Sequence, residues 1–190
     1  TKYEYDERYN VTKEIDANDN SVTKEYNRFN KPTKIIDKNG NITNISYDDV
    51  GNVTHIVYPE IDGNIPEESF TYNEHNQLYQ HTDIRGTVTT YTYDTKGMPF
   101  TKKVGNKNAI TYRYVDGLLK SQTDALGHTT SYDHNYLGQV ISMTDAKNNV
   151  TEYQYDSIGN LLCTIDPTRK SVESLYDGNN QKTYSKDANG

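Results

Sequence analysis

Asp and Asn recur at close spacing in Asp16-Ala17-Asn18-Asp19-Asn20 and in Asp37-Lys38-Asn39-Gly40-Asn41, and their side-chain oxygens could ligate Ca²⁺. An EF-hand loop also needs Gly at its sixth place and Glu at its twelfth. Those places hold Ser21 and Asn27 in the first stretch, Ile42 and Asp48 in the second. Asp opening a type I turn, with Gly or Asn closing it, accounts for the same residues. The five histidines, His55, His75, His81, His128 and His134, form no His-x-His or His-x-x-x-His pair, so neither a zinc site nor histidine catalysis is expected. The lone Cys163 excludes an internal disulfide and suits a small strand side chain better than a nucleophile. Carboxylates, serines and threonines are plentiful but scattered. The expectation is a chain that is not an enzyme and holds no cofactor and no metal.

Composition narrows the class further. Hydrophobic residues make up only 32%, a level at which disorder is a concern, but 18 tyrosines argue for packed structure. The net charge of -7 speaks against nucleic acid as a partner. No apolar run is long enough for a membrane span.

What must position these side chains is a repeat. The stretch Tyr153-Gln154-Tyr155-Asp156-Ser157-Ile158-Gly159-Asn160-Leu161 is strand, turn, strand, and it recurs about nine times. Its second tyrosine serves as a marker, at Tyr5, Tyr26, Tyr47, Tyr72, Tyr93, Tyr114, His134 (in tyrosine's place), Tyr155 and Tyr176. The steps are 21, 21, 25, 21, 21, 20, 21 and 21 residues, the regularity of an array rather than of a domain with one centred core. Residues 1–190 are therefore expected to be a single continuous array of repeats of about 21 residues. The 25-residue step contains Pro59 and Pro66, so residues 58–67 are predicted to be a longer hairpin tip or loop. Thr1 sits just before the first marker and Asp187-Ala188-Asn189-Gly190 stops inside a turn, as expected of a piece excised from a longer protein.

Each repeat carries two turns of the form Asp-x-x-Gly. Gly51, Gly97, Gly117, Gly138 and Gly159 close first turns, and Gly40, Gly86 and Gly127 close second turns. Glycine there admits the left-handed conformation a hairpin needs. Period-two alternation places Thr151, Tyr153 and Tyr155 on one face and Glu152 and Gln154 on the other. Thirteen tyrosines occupy two such columns, the markers being joined by Tyr3, Tyr91, Tyr112, Tyr132 and Tyr153. They are expected to form ladders across the sheet that carry its stability. The second strands are less decided, with Val11, Val53 and Leu161 in one column and Ile15, Val57 and Ile165 in another. The fold class that follows is all-β: an antiparallel meander of hairpins, with about eighteen strands in a curved, spiralling sheet whose free edges invite self-association.

These motifs resemble the RHS or YD repeat family, whose consensus is close to Tyr-x-Tyr-Asp-x-x-Gly-x-Leu followed by Asp-x-x-Gly-x-x-Thr-x-Tyr. The resemblance covers essentially the whole chain and is best at 91–97 and 145–161. It implies a strip of hairpins that winds into a hollow shell, enclosing a C-terminal toxin in bacterial polymorphic toxins and serving adhesion in teneurins. Further repeats and a C-terminal cargo domain of the parent chain would be the partners, and the bacterial exterior or surface the location. The family's self-cleaving core segment is not matched, since Asp166-Pro167-Thr168-Arg169 only echoes it. Surface adhesion or carbohydrate and cell-wall binding is the competing reading, weakened by the lack of tryptophan.

Overall fold

The computed structural model describes residues 1–187, which form eighteen β-strands and no helix. Residues 188–190, where the last expected turn falls, lie outside the described residues. The chain divides into two compact units, Thr1–Tyr91 and Thr92–Gly190. The first holds β1 (Lys2–Tyr5), β2 (Val11–Ile15), β3 (Ser21–Tyr26), β4 (Pro32–Ile36), β5 (Ile42–Tyr47), β6 (Val53–Val57), β7 (Glu67–Tyr72), β8 (Leu78–Thr82) and most of β9 (Val88–Tyr93). The second holds β10 (Pro99–Val104), β11 (Ile110–Val115), β12 (Leu118–Thr123), β13 (Thr129–His134), β14 (Val140–Thr144), β15 (Val150–Tyr155), β16 (Leu161–Ile165), β17 (Ser171–Tyr176) and β18 (Lys182–Lys186). Within each unit every strand pairs antiparallel with the next in sequence. The fold is an all-β meander of hairpins.

Turn chemistry sets the strand ends. In the turn after β1, the Asp6 N–H donates to the Asn10 carbonyl and the Tyr9 N–H to the Asp6 carbonyl, both at 3.0 Å. The same pair of bonds closes the turns opened by Asp16, Asn27, Asp37, Asp48 and Asn73, and by Asp124, Asn135, Asp145 and Asp156. The fourth residue takes positive φ, comfortably at Gly51 (92°) but also at Tyr9 (63°), Asp19 (62°) and Arg169 (68°), where a Cβ makes that conformation costly. The shortened turn between β11 and β12 is a two-residue hairpin with Asp116 at φ 52° and Gly117 at 80°, as a type I′ turn requires.

The tyrosine hairpins share an irregularity that alternation cannot reveal. Glu4 faces Lys13, but Tyr5 faces Val11, leaving Thr12 without an opposite residue. The slip recurs at Tyr26, Tyr47, Tyr72, Tyr114, His134, Tyr155 and Tyr176. The pairings that flank the second turns run without it. One inserted residue reverses the parity of a strand. Val11, Val53 and Leu161 therefore share the tyrosine face, whereas Ile15, Val57 and Ile165 lie opposite Lys2, Asn44 and Glu152 on the other. Each face receives one apolar column from the second strands.

No large apolar side chain is buried among the described residues. The least exposed polar ones are Thr89 at 9% and Ser174 at 7%, both on the tyrosine face. Hydrogen bonds and half-buried side chains hold these sheets, without a sealed core.

Candidate functional site

The pairing between one hairpin and the next is short. β2 and β3 pair only through Lys13–Thr23, Glu14–Val22 and Ile15–Ser21, and β3 then continues three residues further to Tyr26. The Tyr26 hydroxyl crosses this unpaired end and donates to the Val11 carbonyl at 2.7 Å. Tyr47 reaches the Pro32 carbonyl at 2.8 Å and Tyr72 that of Val53 at 2.9 Å. In the second unit Tyr155 reaches Val140 at 2.9 Å and Tyr176 reaches Leu161 at 3.1 Å. Each of these five markers thus clamps its own hairpin to the backbone of the preceding one. Burial is the main reason that Tyr26, Tyr47, Tyr72 and Tyr155 titrate above the ordinary phenol value. His134, which stands in the marker's place, has no such hydroxyl.

A second link joins the turn tips. Asp6 Oδ1 accepts the N–H groups of Arg8 and Asn10, and its Oδ2 accepts the Asn10 amide at 2.8 Å. The Asn10 amide also donates to Asn30 Oδ1, in the next tyrosine turn, at 3.1 Å. Lys31 Nζ donates to the Gly51 carbonyl at 2.5 Å, and Gln139 Nε2 to that of Gly159 at 3.3 Å. Hydrogen bonds from the side chain of the residue after the turn, followed by those from the backbone, hold the carboxyls of Asp6, Asp37 and Asp145 below their ordinary value. Turn chemistry makes the Asp and Gly of this motif legible in the sequence, whereas the bond from the Asn that follows appears only in the structure. The recurrence of that Asn, at Asn10, Asn20, Asn41, Asn52, Asn149 and Asn160, was its signal.

The structure distributes the other candidates. Tyr3 and Tyr5 lie in β1 with half their surface exposed, and Tyr91 and Tyr93 lie in β9. Tyr112 and Tyr114 face Gln122 and Leu119, Tyr132 faces Met143, and Tyr153 faces Thr164. Gly40, Gly86, Gly97, Gly117, Gly127, Gly138 and Gly159 all have positive φ. The acidic turns direct their carboxylates at their own backbone. Among the described residues no three His, Cys, Asp or Glu side chains gather as a metal-ligand group. Cys163 lies in β16 between Gln154 and Glu173, where burial and then the Glu173 charge raise its thiol pKa. A groove of 480 Å³ beside Asp94, Phe100, Tyr112 and Tyr114 is open to solvent.

One cluster breaks the pattern. Glu68 occupies a column that elsewhere holds Thr89 and Thr151. It accepts the Tyr58 hydroxyl at 3.0 Å on Oε1, and His81 Nε2 lies 2.7 Å from Oε2. The His81 ring stacks on Phe70, with centroids 4.7 Å apart and planes at 8°. On the opposite face, His55 Nε2 lies 3.1 Å from Glu67 Oε2. A charged residue in a threonine column was the signal that would have found this cluster.

Comparisons with known proteins agree with this geometry. A family model described as Teneurin YD-shell matches residues 1–121, and one described as RHS Repeat matches 113–148 and 134–171. No curated protein sequence matches the chain. Among solved structures, the crystal structure of TcdB2-TccC3 with Cdc42 superposes with a TM-score of 0.63 at 12% identity, over 96% of this chain and 14% of that one. The Photorhabdus luminescens Tc holotoxin pore gives 0.56 at 12% identity, over 96% and 13%. TcdB2-TccC3-TEV gives 0.64 at 14% identity, over 97% and 12%. At these identities the likeness is one of fold. The chain spans no more than 14% of the length of these structures.

Proposed function

This chain belongs to the teneurin YD-shell and RHS repeat family, and from that premise we propose that it is a stretch of wall, one continuous array of repeats within an exported protein that encloses or presents a C-terminal toxin domain. The observation that carries this reading is the clamp. Tyr26, Tyr47, Tyr72, Tyr155 and Tyr176 each direct a hydroxyl at the backbone of the hairpin before. Side chains that in an active site would converge on a substrate are used here repeat by repeat to hold neighbours, as in a wall. The tyrosine ladder and the turn glycines are, in this reading, its structural elements. Further repeats and the cargo domain of the parent are its partners, outside the cell or at its surface.

Limited proteolysis of the parent protein tests this. In the intact protein the C-terminal domain should resist a protease that digests the same domain expressed alone. Deleting residues 1–190 from the parent should remove that protection. Equal digestion with and without the array would overturn enclosure. Saturable glycan binding by the 190-residue chain, lost in Tyr112→Ala, would replace it with adhesion.

A further inference from the structure

Residues 58–66 form a small, closed finger. Its tip is a two-residue hairpin in which the Ile61 N–H donates to the Asn64 carbonyl at 2.8 Å and the Asn64 N–H to that of Ile61 at 2.9 Å. Asp62 (φ 51°) and Gly63 (φ 78°) supply the left-handed pair such a turn needs. Pro59 and Pro66 stiffen the two arms, and the Tyr58 N–H closes the base on the Pro66 carbonyl at 2.9 Å. The stem is pinned from both faces. Tyr58, Glu68 and His81 are bonded on one side, His55 and Glu67 on the other.

This finger ends in apolar side chains that stand largely in solvent. Ile61 is 62% exposed and Ile65 56% exposed, two branched apolar groups on one tip. Residues 58–68 include Glu60, Asp62, Glu67 and Glu68 and no Lys or Arg. Histidines answer Glu67 and Glu68, whereas Glu60 and Asp62 take part in no ion pair among the described residues. Apolar groups flanked by unanswered carboxylates on a preorganised loop make a docking element, because little ordering entropy is lost on binding. Its charge repels nucleic acid and anionic membranes alike. We propose that the finger docks a polypeptide segment presenting Lys or Arg on either side of apolar side chains. The inference is independent of whether the array encloses cargo.

A synthetic alternating lysine–leucine peptide, titrated into the 190-residue chain at low salt, is the test. Ile61→Ser with Ile65→Ser should weaken binding about tenfold or more. Glu60→Gln with Asp62→Asn should weaken it comparably. Glu7→Gln with Glu74→Gln, which removes the same charge from other exposed turns, should leave it within about twofold. Both finger variants should melt as the parent does, since the altered side chains lie outside the strands. Equal weakening by the two charge variants, or indifference to the isoleucine change, would reduce the interaction to net charge and overturn the proposal. Binding of the unaltered chain to anionic vesicles through the finger would overturn it as well.

Discussion

The regular hairpin β15–β16 and the finger-bearing step between β6 and β7 are both pairs of short antiparallel strands, yet they direct side chains oppositely. In the regular hairpin, Tyr155 bonds the Val140 carbonyl, Asp156 satisfies its own turn, and the Asn160 amide reaches Asn180. Tyr155 and Asn160 each reach a neighbouring repeat. At the finger, Tyr58, Glu68 and His81 secure the stem while Ile61 and Ile65 face solvent. A regular repeat is thus complete only beside another repeat, whereas the finger is locally complete and leaves its tip free. The contrast separates what builds the sheet from what is available to a partner.

The largest effects should come from removing what regular hairpins share. Tyr155→Ala loses a half-buried ring and its hydroxyl bond, and should lower unfolding free energy by about 2–3 kcal/mol in urea titration. Gly51→Val places a branched side chain at φ 92°, with its Cβ 3.4 Å from Phe29 and Lys31, and should cost about 2 kcal/mol or more. The clamp alone is measured by Tyr155→Phe, expected to cost about 1 kcal/mol. The converse change, His134→Tyr, places a hydroxyl near the Leu119 carbonyl by the repeat's register and should add about 0.5–1.5 kcal/mol. If Tyr155→Phe were silent while Tyr155→Ala was not, ring packing rather than the clamp would join the hairpins. At the finger, Ile61→Ser should stay within about 0.5 kcal/mol of the parent, which closes the comparison from its other side.

Two pH limits follow from the same bonds. The carboxyls of Asp6, Asp37 and Asp145 titrate below their ordinary value when folded, so their stabilisation is complete above the unfolded value of about 3.9 and is lost as pH falls through the folded values. The hydroxyls of Tyr26, Tyr47, Tyr72 and Tyr155 titrate above theirs, so their stabilisation is complete below about pH 10 and is lost as pH rises through the folded values. Melting temperature should therefore fall at both ends of the pH range. Asp145→Asn should soften the acid limb and keep the turn, because Asn135 Oδ1 already accepts the N–H groups of Leu137 and Gln139 in the same way.

The sequence by itself determined the period, the strand positions and the turns, because those depend on groups within a few residues of one another. Asp6 and Asn10 meet inside a single turn, and their chemistry is written in that turn. Tyr153 and Tyr155 share a face by simple alternation. The tertiary structure alone decided which face receives Val11 and which Ile15, because one unpaired residue, Thr12, reverses the parity that alternation would assign. It also decided that repeats are joined by hydroxyl-to-carbonyl bonds across 15 residues, as from Tyr26 to Val11. Such a bond depends on where the ladder between two hairpins stops, and no local pattern records that. Tyr58, Glu68 and His81 come together for the same reason, since their contact exists only once β7 lies between the finger's base and β8.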